Sequence, residues 1–183
     1  MSEIERDAVV DPAVLRRAMS HFATGVTVVA TRHLGGGACG LTANAFTSVS
    51  LVPPLVLVCV DRRSLTYPCL EANGFFAASF LSEGQHELSL RFAERRDDKF
   101  DGVPHRAGVT GAPILAGSIG HLECRTETEF PGGDHAIILA SVVATEAGAG
   151  LPLVFFRGAY TTVALPVEGS EPLPGEPEDA GPA

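Results

Sequence analysis

GLTANAFTSVSLVPPLVLVCVD, residues 40–61, divides into two halves of different chemistry. The second half, Leu55-Val56-Leu57-Val58-Cys59-Val60, is a short β-branched apolar run opened by Pro53-Pro54. Prolines cannot donate to a ladder, so they belong at a strand's start, and the run predicts a buried strand. The first half sets Thr42, Asn44, Thr47, Ser48 and Ser50 among Ala and Phe. Such small hydroxyl and amide groups suit a flat ligand with polar edges, because small residues admit close backbone approach and a few polar groups fix orientation. A Ser/Thr-rich connection between two strands explains the same composition, and the residues alone leave both readings open.

Working outward, Asp11-Pro12 is a helix start, an N-cap acceptor followed by proline at the first helical position. Val14, Leu15, Ala18, Met19 and Phe22 share one helical face, with Gly25 as terminator. Residues 26–31 predict a strand. Gly35-Gly36-Gly37 lacks the spacing and lysine of a phosphate loop and reads as a hairpin turn. Residues 61–73 suggest a short helix, with Ser64 or Thr66 as N-cap and Arg62 and Arg63 beside it. Such an end suits an anion, although on the residues alone capping plus a solvated charge pair is the stronger reading. Residues 75–81 form another strand. Ser82-x-x-Gln85 is a capping box opening a helix to about Ala93, and residues 94–101, ERRDDKFD, read as solvated surface.

In residues 122–130, Leu122, Cys124, Thr126, Thr128 and Phe130 alternate with Glu123, Arg125, Glu127 and Glu129, the period of a half-buried strand with its acids outward. Pro131-Gly132-Gly133-Asp134 turns the chain, and residues 136–145 and 153–163 give two more strands. The expected organisation is a flexible arm at 1–10, one domain at 11–165, and a disordered Pro/Gly/acidic tail at 166–183. Many strands joined by tight turns, with few short helices, imply a mainly β, barrel-like domain.

A chain of 183 residues with 45% hydrophobic content is large enough for a substantial core. A formal net charge of −9 argues against a nucleic-acid surface or attraction to anionic lipid. The absence of a membrane-length apolar run, and of a signal peptide's basic start and apolar core, leads us to expect a cytoplasmic location. Cys39, Cys59, Cys69 and Cys124 show no paired or metal-finger spacing and read as packing residues; the six histidines are scattered, and no metal site is expected.

Six stretches, taken in order, carry a resemblance: residues 19–29 MSHFATGVTVV, residues 40–60, residues 75–81 FFAASFL, Arg91-Phe92-Ala93, residues 132–136 GGDHA and residues 152–160 PLVFFRGAY. Together they resemble the small NAD(P)H:flavin oxidoreductases, the reductase components of two-component flavin-dependent monooxygenases. The resemblance implies a split β-barrel that binds FMN or FAD, forms a homodimer with flavin near the subunit interface, and takes NADH or NADPH as reductant. By resemblance, Leu41, Thr42, Ala43, Asn44 and Ala45 line the isoalloxazine. Ser48, Cys59, Val60, Asp61, Ser64 and Thr66, with Arg62, continue toward the ribityl and phosphate. Arg91 and Phe92 fall in the family's arginine-aromatic motif near the flavin.

His135 follows a glycine turn, where an imidazole either bonds to backbone or stands over a ligand. The resemblance favours the second role, orienting the nicotinamide without transferring a proton. The cofactor carries hydride chemistry, so no catalytic triad is expected. Ala45 stands where relatives often carry Ser, and Ser79 where Asn is common. The leading expectation is reduction of FMN or FAD for delivery to a separate monooxygenase. A split-barrel flavoprotein acting directly on a small molecule, and a non-catalytic flavin carrier, are the alternatives. Neither the flavin, the nicotinamide nor the oxygenase and its substrate is specified by these residues.

Overall fold

The computed structural model describes residues 10–164. The expected arm at 1–10, apart from Val10, and the expected tail at 166–183 lie outside the described residues. The elements are α1 (Pro12–Met19), β1 (Thr24–Gly25), β2 (Thr27–Arg32), β3 (Ala38–Ala43), β4 (Phe46–Leu51), β5 (Pro54–Asp61), α2 (Tyr67–Asn73), β6 (Phe75–Phe80), α3 (His86–Ala93), β7 (His105–Ala107), β8 (Pro113–Leu115), β9 (Gly120–Gly132), β10 (His135–Ala147), β11 (Val154–Phe156) and β12 (Ala159–Thr161).

The architecture is mainly β with short helices. Seven antiparallel strands lie in the order β3-β2-β6-β9-β10-β5-β4, flanked by the three-stranded sheet β1-β11-β12 and the β7-β8 pair. The large sheet is not closed: β3 and β4 are its two edges. Strand β2 explains why both faces are covered. Val29 packs with Val56, Val58, Val60, Phe76 and Ile138 on one side, while Val28 and Ala30 pack with Leu81, Phe92, Phe100 and Leu153 on the other. A strand buried on both faces reads as a continuous apolar run. Phe76 and Phe92 are almost completely enclosed, and burial of a side chain that size stabilises by roughly 1.5–3 kcal/mol.

Asp11 caps α1 through its carboxylate, which accepts from the Ala13 and Val14 amides. The Gly-rich segment turns β2 into β3, and Ser82 and Gln85 form the capping box ahead of α3. Pro54 opens β5, whose core-facing residues are Val56, Val58 and Val60; Leu55, Leu57 and Cys59 on the other face are half-buried.

Four expectations need correction. Helix α1 ends at Met19 with Ser20 as C-cap, since Gly25 is already in β1. Its apolar stripe does not pack within the chain: Val14, Leu15, Met19 and Phe22 are exposed. Residues 153–163 fold back on themselves as β11 and β12, with Arg157-Gly158 at the turn. Glu123, expected outward, is buried because its carboxylate accepts from the Val109 and Thr110 amides and the Thr110 hydroxyl. Gly108 permits that approach, since an added Cβ there would collide with the carboxylate. The run at 94–101 is not all solvated surface: Lys99 and Phe100 are buried.

Candidate active site

Strands β3 and β4 do not pair, and the chain passes from one to the other through the two-residue link Asn44-Ala45. Small side chains leave its backbone accessible. Thr42 is held from behind, its hydroxyl donating to the Ser89 carbonyl of α3 at 2.6 Å; the Ser89 hydroxyl in turn meets the Tyr160 hydroxyl at 2.8 Å. Opposite this link, β5 delivers Cys59 and Asp61 at its C-terminal end. Asp61 then organises the following loop: its carboxylate accepts from the Arg63 amide at 2.8 Å and from the Arg63 guanidinium at 3.1 and 2.9 Å. These Arg63 bonds hold the Asp61 carboxyl well below the usual range, at about 2. The Ser64 hydroxyl accepts from the Tyr67 amide at 3.1 Å and so caps α2.

These segments surround a cavity of about 410 Å³. Leu41, Thr42, Ala43, Asn44, Ala45, Cys59, Asp61, Ser64, Phe92 and His135 of the sequence-derived set line it. His135 opens β10, and its side chain is 42% exposed. Its Nδ1 lies 2.7 Å from the Asp134 carboxylate. An ionised carboxylate only accepts, so Nδ1 carries a proton and Nε2 is the ring nitrogen left for another partner.

Ser48, Val60, Arg62, Thr66 and Arg91 do not line the cavity. Ser48 is exposed on edge strand β4. Val60 lies in the core, as the alternation between Cys59 and Asp61 requires. Thr66 is buried and its hydroxyl donates to the Gly40 carbonyl at 2.8 Å. Arg62 turns toward Glu129. Arg91 donates to the Asp98 and Asp101 carbonyls at 2.9 and 2.6 Å, tying the segment after α3 back onto the helix.

That tie presents a residue absent from the sequence-derived set. Lys99 lines the cavity, is 7% exposed, and its Nζ donates to the Gly40 carbonyl at 3.1 Å and the Phe92 carbonyl at 2.9 Å. No carboxylate lies within salt-bridge distance of it among the described residues. Burial pushes its pKa down from the ordinary lysine range, partly offset by Cys39, Asp97 and Glu94. The signal in sequence was Phe100: an aromatic inside a charged run anchors its neighbours to a core. Arg63, Leu65, Ala93, Glu94 and Arg95 complete the rim.

A second cavity of about 850 Å³ shares Asn44, Ala45 and Cys59 with the first. Met19, Phe22, Phe46, Leu57, Phe80 and Phe155 make it largely apolar.

Residues 19–164 match the family described as the flavin reductase like domain. The chain belongs to that family. The flavin reductase-like domain thus spans β1 to β12 and every residue lining the smaller cavity. A probable flavin reductase of Rhizobium meliloti is 43% identical over 157 residues, 86% of this chain but 50% of that protein, so the chain spans about half that relative's length. An NADH-dependent FAD reductase of Streptomyces globisporus is 42% identical, covering 82% of this chain and 85% of the relative. The solved structure of an NADH:FAD oxidoreductase from that organism, in complex with NAD and FAD fragments, superposes with a TM-score of 0.80 at 40% identity, covering 86% of this chain and 98% of that one. The reductase subunit of a flavin-dependent monooxygenase from Mycobacterium tuberculosis is 35% identical, covering 85% of this chain and 84% of the relative.

Proposed function

We propose that this flavin reductase-like domain transfers hydride from NADH or NADPH to FMN or FAD, and that the reduced flavin passes to a separate monooxygenase. The observation that carries the reading is the 410 Å³ cavity in which the β3–β4 link, the loop after Asp61, Lys99 and His135 converge. Its donor set fits a flavin phosphate: Lys99 is a buried cation with no carboxylate partner among the described residues, whereas Asp61 already neutralises Arg63.

Bound flavin supplies the hydride acceptor and the reduced nicotinamide the hydride. The chain's own work is placement. Lys99 and the Ser64 hydroxyl hold the anionic end. The residues from Leu41 to Ala45 present backbone groups and small side chains along the ring edge. Asp134 holds the His135 ring through Nδ1, so that Nε2 is available to orient a nicotinamide amide.

The reading extends to a split barrel completed as a homodimer, to residues 11–165 as the working domain, and to a cytoplasmic setting. The exposed Val14, Leu15, Met19 and Phe22 of the α1 region, together with Val49, Leu51 and Val52 at the β4 edge, support a second copy as their cover. No helix among the described residues is long and apolar enough to cross a membrane.

Anaerobic oxidation of NADH and NADPH, with and without added FMN, FAD or riboflavin, tests the function. Oxidation that rises and saturates with added flavin is the expected result. Flavin binding without oxidation points to a carrier, and indifference to added flavin points to a tightly held flavin serving another substrate. His135→Ala is expected to lower kcat/KM for the nicotinamide about tenfold, the scale of a lost orienting contact, while the FMN Kd changes little. Unchanged nicotinamide kinetics would remove the role of His135.

A further inference from the structure

The His135 backbone is paired to Asp61 and Gly132 and its ring meets Asp134, but the tip just before it has few contacts. His135 forms the last ladder pair with Asp61 at the end of β5, and beyond it the chain turns through Gly133 and Asp134 alone. Gly133 has φ +73°, and a Cβ placed there would meet nothing within 4 Å. The Asp134 side chain is 72% exposed. The hairpin tip therefore carries almost no packing of its own, yet an orienting imidazole must be held to within about an ångström to be useful.

Arg62 supplies a further restraint on this tip. Its neighbours Asp61 and Arg63 line the cavity, but Arg62 turns away from it. The Arg62 amide donates to the Asp134 carbonyl at 3.2 Å, and its Nε donates to the His135 carbonyl at 3.3 Å. Nη2 donates to Glu129 Oε1 at 3.1 Å. The same carboxylate oxygen accepts from the Tyr67 hydroxyl at 2.7 Å, and the guanidinium lies 5.8 Å from the centre of the Tyr67 ring. Tyr67 is only 8% exposed and belongs to the main core. Glu129 pushes the Tyr67 pKa up to about 12, which keeps the phenol a donor throughout the working pH range. A rigid core residue thus fixes a carboxylate, the carboxylate fixes a guanidinium, and the guanidinium and its own amide fix both residues of the hairpin tip.

We propose that Glu129 and Tyr67 are positioning residues for the nicotinamide step, acting through Arg62 on the hairpin that carries His135. This clamp rests on the orienting role proposed for His135. It also explains why Arg62, adjacent to the cavity in sequence, does not face it.

The test uses the full chain and the variants Glu129→Ala, Glu129→Gln, Tyr67→Phe, His135→Ala and the double variant Glu129→Ala/His135→Ala. Anaerobic stopped-flow with NADH and FMN gives kcat and KM for the nicotinamide, and flavin fluorescence gives the FMN Kd separately. Glu129→Ala is expected to lower kcat/KM for NADH about tenfold with the FMN Kd changed less than about twofold. Glu129→Gln keeps an oxygen that accepts from both partners and is expected to retain activity within about threefold. Tyr67→Phe removes one anchor and should lose about threefold, which keeps the test decisive if Glu129→Ala does not fold. The double variant should be no slower than His135→Ala alone, because both act on one group. An unchanged kcat/KM in Glu129→Ala, a parallel rise in the FMN Kd, or additive losses in the double variant would overturn the clamp. If His135→Ala slows the NADH step and Glu129→Ala does not, only the clamp fails. If His135→Ala leaves the step unchanged, the reading of His135 fails and the clamp falls with it.

Discussion

The two cavities that meet at Asn44, Ala45 and Cys59 differ in what they can recognise. The smaller, about 410 Å³, is bounded by Asp61, Arg63, Lys99 and His135; the larger, about 850 Å³, by Met19, Phe22, Phe46, Phe80 and Phe155. Directional groups in a confined space discriminate by charge and hydrogen bonding, because an unmatched partner leaves a buried polar group unpaired. Apolar walls attract in proportion to area and select by shape alone. On the reading proposed above, the first cavity would recognise the ligand and a second copy of the chain would cover the second. The comparison breaks if changes in one cavity alter what the other recognises.

The largest expected effect is at Lys99. Its ammonium uses two donors on neutral carbonyls and meets no carboxylate among the described residues, so a phosphate would be its counter-ion. Lys99→Met should weaken FMN binding about a hundredfold, the scale for truncating one member of a buried charge pair. Riboflavin, which lacks the phosphate, should lose no more than a few-fold. Fluorescence titration of both flavins checks this, and equal losses would mean Lys99 only supports the fold. A pH series sharpens the point. The charged form holds the phosphate, and burial has already lowered the pKa. FMN affinity should therefore be full below that lowered pKa and fall as pH rises through it, earlier than an ordinary lysine would allow. Riboflavin shares the ring's own titration and serves as the control.

Next comes the apolar side. Phe22 is 68% exposed and Met19 56% exposed. If a second copy covers them, Phe22→Glu should raise the dimer dissociation constant at least about tenfold, given the value of burying one large side chain. Light scattering across a concentration series reads this directly. The comparison predicts that the FMN phosphate contribution, measured as the FMN-to-riboflavin affinity ratio, stays the same. A collapsed ratio would show that the two cavities are not separable.

Much of the fold was legible in the sequence because it rests on local rules. Asp11-Pro12, Ser82-x-x-Gln85, the glycine turn before β3 and the Pro-opened run of β5 each satisfy backbone geometry or capping within a few residues. The site was legible by region and less so by face. Strand periodicity alone puts Val60 on the opposite side from Cys59 and Asp61, so its burial could have been read. Thr66 and Arg62 could not, because their partners, Gly40 and Glu129, are distant in sequence. Lys99 and Glu123 escaped for a related reason. Charge composition implies solvent, and only a long-range tie such as Arg91 to residues 98 and 101, or the loop seated on Glu123, reverses that implication.

The smallest expected effect lies on the shared wall. Ala45 is exposed in the β3–β4 link, and its carbonyl accepts from the Cys59 amide at 3.0 Å, which fixes the backbone against β5. Ala45→Ser adds a hydroxyl without disturbing that bond. One new hydrogen bond in a partly desolvated site contributes about 1 kcal/mol, or roughly a fivefold gain in affinity. If the isoalloxazine edge passes Ala45, riboflavin and FMN should both tighten by that factor, since the contact is to the ring they share. Dimerisation should not change, because a serine hydroxyl adds no apolar area to the larger cavity. Tightening of FMN alone would place the hydroxyl near the phosphate and reverse the direction in which the flavin lies between Ala45 and Lys99. A shift in the dimer constant instead would assign this link to the covered face, and the wall between the two cavities would have to be redrawn.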